Sequence, residues 1–292
     1  MLKTKLHKAG FIITSFLLMA AASGNKYTRI SAAVTPAAPA FPVDSAGLSQ
    51  HIFDTAGLCS CLPELTVTEK ETAPRIHLQE QARAFVQAHI KENGPYYGKI
   101  REKSIPVFSL VDKVFSEYSL PRELKYLAVV ESKLDNRITS SAGAAGLWQF
   151  MPSAARSFGL KISGKNDDRR NNYKSTVAAA KCLLYLHGIF DDWLLTLAAY
   201  NSGPARVLSA IKKSGSRDFW VLQRYLSPET RKHVMKFISV HYYFEGHGSL
   251  ATLTKAETRE HTQAVSGFLA RLQPPQSNSD SLQLSSAEII KK

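Results

Sequence analysis

The sequence predicts a mainly α-helical domain over residues 76–245, set between an N-terminal linker and a C-terminal tail. Three observations predict it. Apolar residues recur at the three-and-four spacing of one helical face from residue 78 onward. Proline, glycine and asparagine punctuate that pattern where helices begin and end. No stretch raises strand-like alternation above the helical pattern. With 292 residues, 44% of them hydrophobic, the chain carries enough apolar side chains to bury a full core.

Taken in order, Lys3, Lys5, His7 and Lys8 precede an apolar run over residues 11–19 and the small residues Ala20, Ala21, Ala22, Ser23 and Gly24. This reads as a secretory signal peptide over residues 1–22, which implies export to the periplasm or cell envelope. A spanning helix needs about 18 or more apolar residues, so a signal retained as an anchor is the lesser alternative. Residues 23–75 are rich in Ala, Pro, Ser and Thr and read as a flexible linker or loosely ordered arm. Cys59 and Cys61 are too close to staple a useful loop, and Cys182 falls in a helical pattern as a small buried apolar residue.

The first helical face holds Leu78, Ala82, Phe85, Val86, His89 and Ile90, and Asn93-Gly94-Pro95 ends it. After Pro106 a second helix carries Val107, Leu110, Val111, Val114, Phe115 and Tyr118 on one stripe. Ser119-Leu120-Pro121 restarts the chain, and the next stripe runs Leu124, Leu127, Ala128, with Glu131 in the following core position. Residues 135–145 are small, polar and aperiodic, a loop. Pro152 opens a short helix that Gly159 closes. Residues 166–173 form a polar connection before a helix over 175–187, and Asp191-Asp192 precedes the apolar run 193–200, the expected buried centre. Helices are expected again at 205–213 and 228–243, and one more at 256–272. The tail from residue 246 is otherwise low in complexity, and no internal repeat is visible.

The net charge is +13; residues 1–75 hold 7 Lys/Arg against 5 Asp/Glu and residues 246–292 hold 5 against 4, which leaves +10 on residues 76–245. A basic body attracts polyanions of any kind, nucleic acid, acidic lipid or the carboxylates of cell-wall peptides alike, and a merely solvated basic surface is the plainer reading. The nine histidines include no HExxH and no zinc spacing with cysteine, and neither a phosphate loop nor GxSxG is present, so no metal and no cofactor is expected.

Glu131 is the first chemical candidate. Desolvation on an apolar helix face favours a protonated carboxyl, the state a general acid needs near neutral pH. The competing reading puts Glu131 past the helix end, paired with a nearby Lys or Arg. In the loop that follows, Gly143 and Gly146 flank Ala144-Ala145 and permit close approach of a ligand, while Gln149 offers a donor and an acceptor; an ordinary surface loop anchored by Trp148 and Phe150 is the alternative. Tyr200-Asn201 ends the most apolar helix with polar groups that face either a cleft or the backbone. Glu229 opens the last helix, where the dipole alone justifies it. Carboxylate glycosidases use a second acid, yet Asp135, Asp167, Asp168, Asp191 and Asp192 all fall in polar connections. A mechanism with one protein carboxylate therefore stands beside the conventional one.

The combination of Glu131-Ser132, residues 142–152 (AGAAGLWQFMP), Ala199-Tyr200-Asn201-Ser202-Gly203 and Glu229-Thr230-Arg231 resembles the family 1 soluble-lytic-transglycosylase (SLT) domain, most like its membrane-bound D type, over residues 77–245. The resemblance implies a lysozyme-like helical fold and a cleft for peptidoglycan glycan strands. It implies Glu131 as acid and then base, forming a 1,6-anhydro-MurNAc end without water, with the N-acetyl group assisting. By motif match, Ser140, Gly146, Gln149, Tyr200, Asn201 and Glu229 line the cleft. His233 stands where the family usually has tyrosine, and Asn171-Asn172 replaces an Asp-Pro. A hydrolytic muramidase of goose-lysozyme type and a non-catalytic wall-binding scaffold are the alternatives; nucleic acid is not an expected partner. Peripheral membrane or cell-wall association fits the basic body.

Overall fold

The computed structural model describes residues 72–272. The signal, most of the linker with Cys59 and Cys61, and residues 273–292 lie outside the described residues. Helix α1 (Glu80–Glu117) is a single element where the sequence predicts two, with Pro95 and Pro106 inside it. Each internal proline removes a backbone donor at a cost of about 3 kcal/mol, and packing outweighs that cost here. Gly94 and Gly98 face the side chain of Tyr243 on α8 (Pro228–Glu245). Tyr97 packs against the same ring at 5.3 Å, and the Arg101 guanidinium lies 4.9 Å over it while donating to the Tyr243 carbonyl at 2.7 Å. A break at residues 93–95 would pull these contacts apart.

A 3₁₀ turn (Arg122–Lys125) leads into α2 (Tyr126–Ser132), and Lys133 and Leu134 then take left-handed backbone conformations that turn the chain into the loop before α3 (Pro152–Ser157). A two-stranded antiparallel hairpin, β1 (Ile162–Ser163) and β2 (Asn166–Asp167), with Ile162 opposite Asp167, leads into the connection expected over 166–173. Strands of two residues are too short to show alternation in sequence. Asn171 caps α4 (Asn172–Phe190) by accepting from the Lys174 amide at 3.0 Å. Cys182 is buried within α4, and burial pushes its thiol pKa up.

Helix α5 (Trp193–Ser202) is the buried centre the sequence predicts: Leu194, Leu195, Leu197, Ala198 and Ala199 are wholly covered, and it packs against α4, α6 (Pro204–Ser214) and α8. A four-residue helix, α7 (Phe219–Leu222), joins α6 to α8. The packed body runs past the boundary expected at residue 245. Ala251, Thr252, Leu253 and Thr254 are buried, and α9 (Lys255–Leu272) follows as predicted from residue 256. The tail expected from residue 246 is thus buried over residues 251–254 and helical as far as Leu272. Asp192 fastens it, accepting from the Leu195 amide of α5 at 2.9 Å and from the Lys255 amide of α9 at 2.6 Å.

Candidate active site

The stripe Leu124, Leu127, Ala128 packs into the core and carries Glu131 inward, leaving its side chain 5% exposed. The reading that placed Glu131 beyond the helix end beside a Lys or Arg does not hold. Glu131 lies within α2, and its Oε1 is 2.8 Å from Nε2 of His233 on α8, a side chain just as buried. The His233 Nδ1 is buried without a hydrogen-bond partner. An orphaned N–H is the rarer and costlier defect in a protein interior, so a neutral ring keeps its proton on Nε2 and donates it to Oε1. Sequence reasoning marked His233 only as a departure from tyrosine. It missed the contact because 102 residues separate the partners.

The loop after α2 is held as one wall. The Ser132 hydroxyl donates to the Leu147 carbonyl at 2.8 Å, joining helix to loop. Ser140 serves the loop itself: its Oγ accepts from the Ala144 amide at 3.0 Å. Arg169, 7% exposed and paired with Asp167, reaches across to the carbonyls of Gly143 at 2.8 Å and Phe150 at 3.0 Å. Gly146 has φ +83°, and a Cβ there would lie 1.8 Å from the Arg169 carbonyl oxygen, so only glycine fits. Trp148 is fully buried and donates its indole N–H to Thr176 Oγ1 at 3.0 Å. Gln149 adopts φ 48°, a left-handed conformation that non-glycine residues avoid, and its side-chain amide donates to the Gly146 carbonyl at 2.8 Å. Trp148 and Phe150 anchor a fixed wall, and Arg169 is the clamp that sequence reasoning overlooked within Asp168-Arg169-Arg170.

Tyr200 meets this wall from α5, donating to the Trp148 carbonyl at 2.8 Å, the backbone bond that was one of its two sequence readings. Burial, and after it the Glu131 charge, hold the Tyr200 hydroxyl well above its ordinary pKa, so it remains a donor. Asn201 is buried and accepts from Thr230 Oγ1 at 3.0 Å, which ties the end of α5 to the start of α8. Glu229 is exposed in the first turn of α8, behind the Ser227 cap. Glu131, His233 and Tyr200 therefore converge, Gln149, Gly146 and Ser140 shape the adjoining loop, Asn201 joins the two helices, and Glu229 stands at the solvent edge.

The remaining acids named from sequence are committed elsewhere: Asp135 to Arg137, Asp167 to Arg169, Asp168 to Lys174, Asp191 to Lys255, and Asp192 to the starts of α5 and α9. The site offers one buried carboxyl held at one oxygen, able to give and to take a proton.

The profile of the "Transglycosylase SLT domain" matches residues 115–223, which include Glu131, the loop and Tyr200-Asn201 but stop short of Glu229 and His233. The membrane-bound lytic murein transglycosylase D of Escherichia coli (strain K12) is 38% identical over 168 residues, covering 56% of this chain and 36% of that one. The peptidoglycan transglycosylase gp16 of Escherichia phage T7 is 38% identical over 86 residues, 29% of this chain and 6% of that one. Among solved structures, the 70 kDa soluble lytic transglycosylase of Escherichia coli aligns over 51% of this chain and 26% of its own, at 24% identity and a TM-score of 0.44. The chain spans little more than a third of the length of the first of these relatives. Residues 115–223 of the chain are thus similar to the transglycosylase SLT domain.

Proposed function

We propose that the protein is a peptidoglycan lytic transglycosylase that cleaves the β-1,4 bond between MurNAc and GlcNAc and leaves a 1,6-anhydro-MurNAc end. The observation that carries this reading is the buried carboxyl of Glu131, within the residues that match the SLT domain, bonded to His233 while the aspartates named from sequence are engaged elsewhere. With the His233 N–H on Oε1, the exchangeable proton resides on Oε2. Glu131 gives that proton to the bridging oxygen as the C1–O bond breaks. The carboxylate then takes the proton of the MurNAc C6 hydroxyl, whose oxygen closes onto C1, with the N-acetyl group supporting the positive charge in between. The nucleophile belongs to the substrate, so no second protein carboxylate and no water are consumed.

The fixed loop supports this chemistry by presenting one wall of a cleft, with Ser140, Gly146 and Gln149 shaping it and Tyr200, Asn201 and Glu229 along the α5 and α8 side. The helical body is the catalytic unit, preceded by the export signal and linker, and it acts at the cell envelope, in the periplasm, with glycan strands as its partner. Among the described residues no single helix is long and apolar enough to cross a membrane; peripheral attachment through the basic body fits that. The test is digestion of purified peptidoglycan by wild type and Glu131→Gln. Loss of soluble fragments with an unchanged circular dichroism spectrum is the expected result, and activity that survives the change reassigns the acid.

A further inference from the structure

Beside the Glu131–His233 pair lies a recess of about 360 Å³ between α1, the end of α2 and α8, lined among others by Tyr96, Lys133, Lys232 and Lys236. Part of its wall comes from α2 and α8, the two helices that carry the pair. Lys133 follows Glu131 by two residues, and Lys232 and Lys236 flank His233 on α8. The three amines are close enough that Lys232 and Lys133 both act on Lys236, together with the charges of Glu131 and Glu229. None of the three is ion-paired with a carboxylate among the described residues, although Glu92 also lines the recess. Lys133 instead lies 4.7 Å over the Tyr96 ring. Lys236 is half-buried, and desolvation and then the Lys232 charge hold its amine below the ordinary lysine value.

Converging unpaired cations in a concave, aromatic-sided recess are a cost to the folded protein that an arriving anion relieves. The form of the recess indicates which anion. Lys133 and Lys232 are exposed at the mouth of the recess and Lys236 is half-buried within it; a lipid surface is met by lysines that are all exposed and convex, whereas a half-buried amine in a cavity of this size accepts one small group, such as a carboxylate on a short chain. A second cationic recess carrying Lys99 and Lys103 adjoins the first across Tyr96 and Lys133, which gives an extended acidic chain a path to follow.

We propose that Lys133, Lys232 and Lys236 form a carboxylate-binding subsite for the acidic peptide that the glycan strand carries beside the scissile bond. This rests on the lytic-transglycosylase reading, and it makes peptide-bearing strands the preferred substrate. The peptide docks against α1 and α8 while the sugar lies against the loop wall, so binding of the one positions the other over Glu131.

The experiment compares wild type with Lys232→Gln/Lys236→Gln on two substrates, intact glycan strands and the same strands stripped of peptide by an amidase. The expected result is that the ratio of kcat/KM for intact over stripped strands falls about tenfold in the double variant, the loss of one or two charge-assisted contacts. An unchanged ratio overturns the proposal. A binding arm keeps that outcome separate from failure of the enzymatic reading. Glu131→Gln protein, with and without the lysine changes, is titrated with a fluorescein-labelled peptide of alanine, glutamate and lysine, and with its fully amidated counterpart. Binding that needs both the lysines and the free carboxylates supports the subsite even if no strand is cut. Equal binding of the two peptides overturns it, as does lysine-dependent binding to phosphatidylglycerol vesicles without any to the peptide.

Discussion

In the proposed reaction the one carboxyl group of Glu131 gives a proton and then takes one, so its orientation matters at both steps. His233 holds one of its two oxygens at 2.8 Å, and the proposed reaction uses the other. His233→Phe is expected to lower kcat about 10- to 100-fold with KM changed by less than about threefold, the signature of a residue that positions the acid rather than binding substrate. His233→Tyr keeps a hydroxyl within reach of the same carboxyl and should retain more activity than His233→Phe; equal activity of the two variants would mean that the ring only fills space. Steady-state kinetics on soluble glycan strands decides between these. Glu131 was legible in the sequence because a carboxylate interrupted a core stripe, and Tyr200-Asn201 because polar groups ended a buried helix. His233 was not, since no local pattern reports a contact across 102 residues. Gln149 was legible as a polar residue in the loop, but its left-handed backbone and its bond to the Gly146 carbonyl were not.

Between elements, two positions carry most of the geometry. Gly146 allows the loop to lie against the Arg169 backbone, and Gly146→Ala would push a methyl into the Arg169 carbonyl from a left-handed conformation. A loss of about 3 kcal/mol or more is expected, near 10 °C in Tm. Gly143→Ala, at φ +89° with nothing within 4 Å of the added carbon, should cost only about 1 kcal/mol. Thermal unfolding of the two variants reads the difference directly. Asp192 joins α5 to α9, and burial raises its pKa from 3.8 to about 6. Between those values the native state binds more protons than the unfolded chain, so this group's contribution favours the fold at low pH and is lost as pH rises toward 6, a change of order 3 kcal/mol. Asp192→Asn should flatten the dependence of Tm on pH over that window while loosening one of the two helix starts. The helices were legible as elements wherever a stripe, a cap and a breaker coincided. Their ends were not legible where tertiary packing prevailed: α1 runs through Pro95 because Tyr243 and Arg101 hold it against α8, and α9 is tied at its start because Asp192 accepts from its first amide.

For the whole molecule, the mainly helical class followed from periodicity alone, while the enzymatic reading needed four separated motifs that only the fold assembles. The body's charge of +10 is spread over helices whose lysines are mostly solvated, yet three of them gather beside the acid, a grouping that sequence order scatters over residues 133, 232 and 236. The central claim is that one carboxyl closes a ring on the substrate and adds no water. Digestion of peptidoglycan in ¹⁸O-labelled water, followed by mass analysis of the fragments, tests it most directly. Fragments lighter by one water than the reducing sugar, and free of ¹⁸O, are the expected result; reducing ends that carry ¹⁸O at C1 would contradict it.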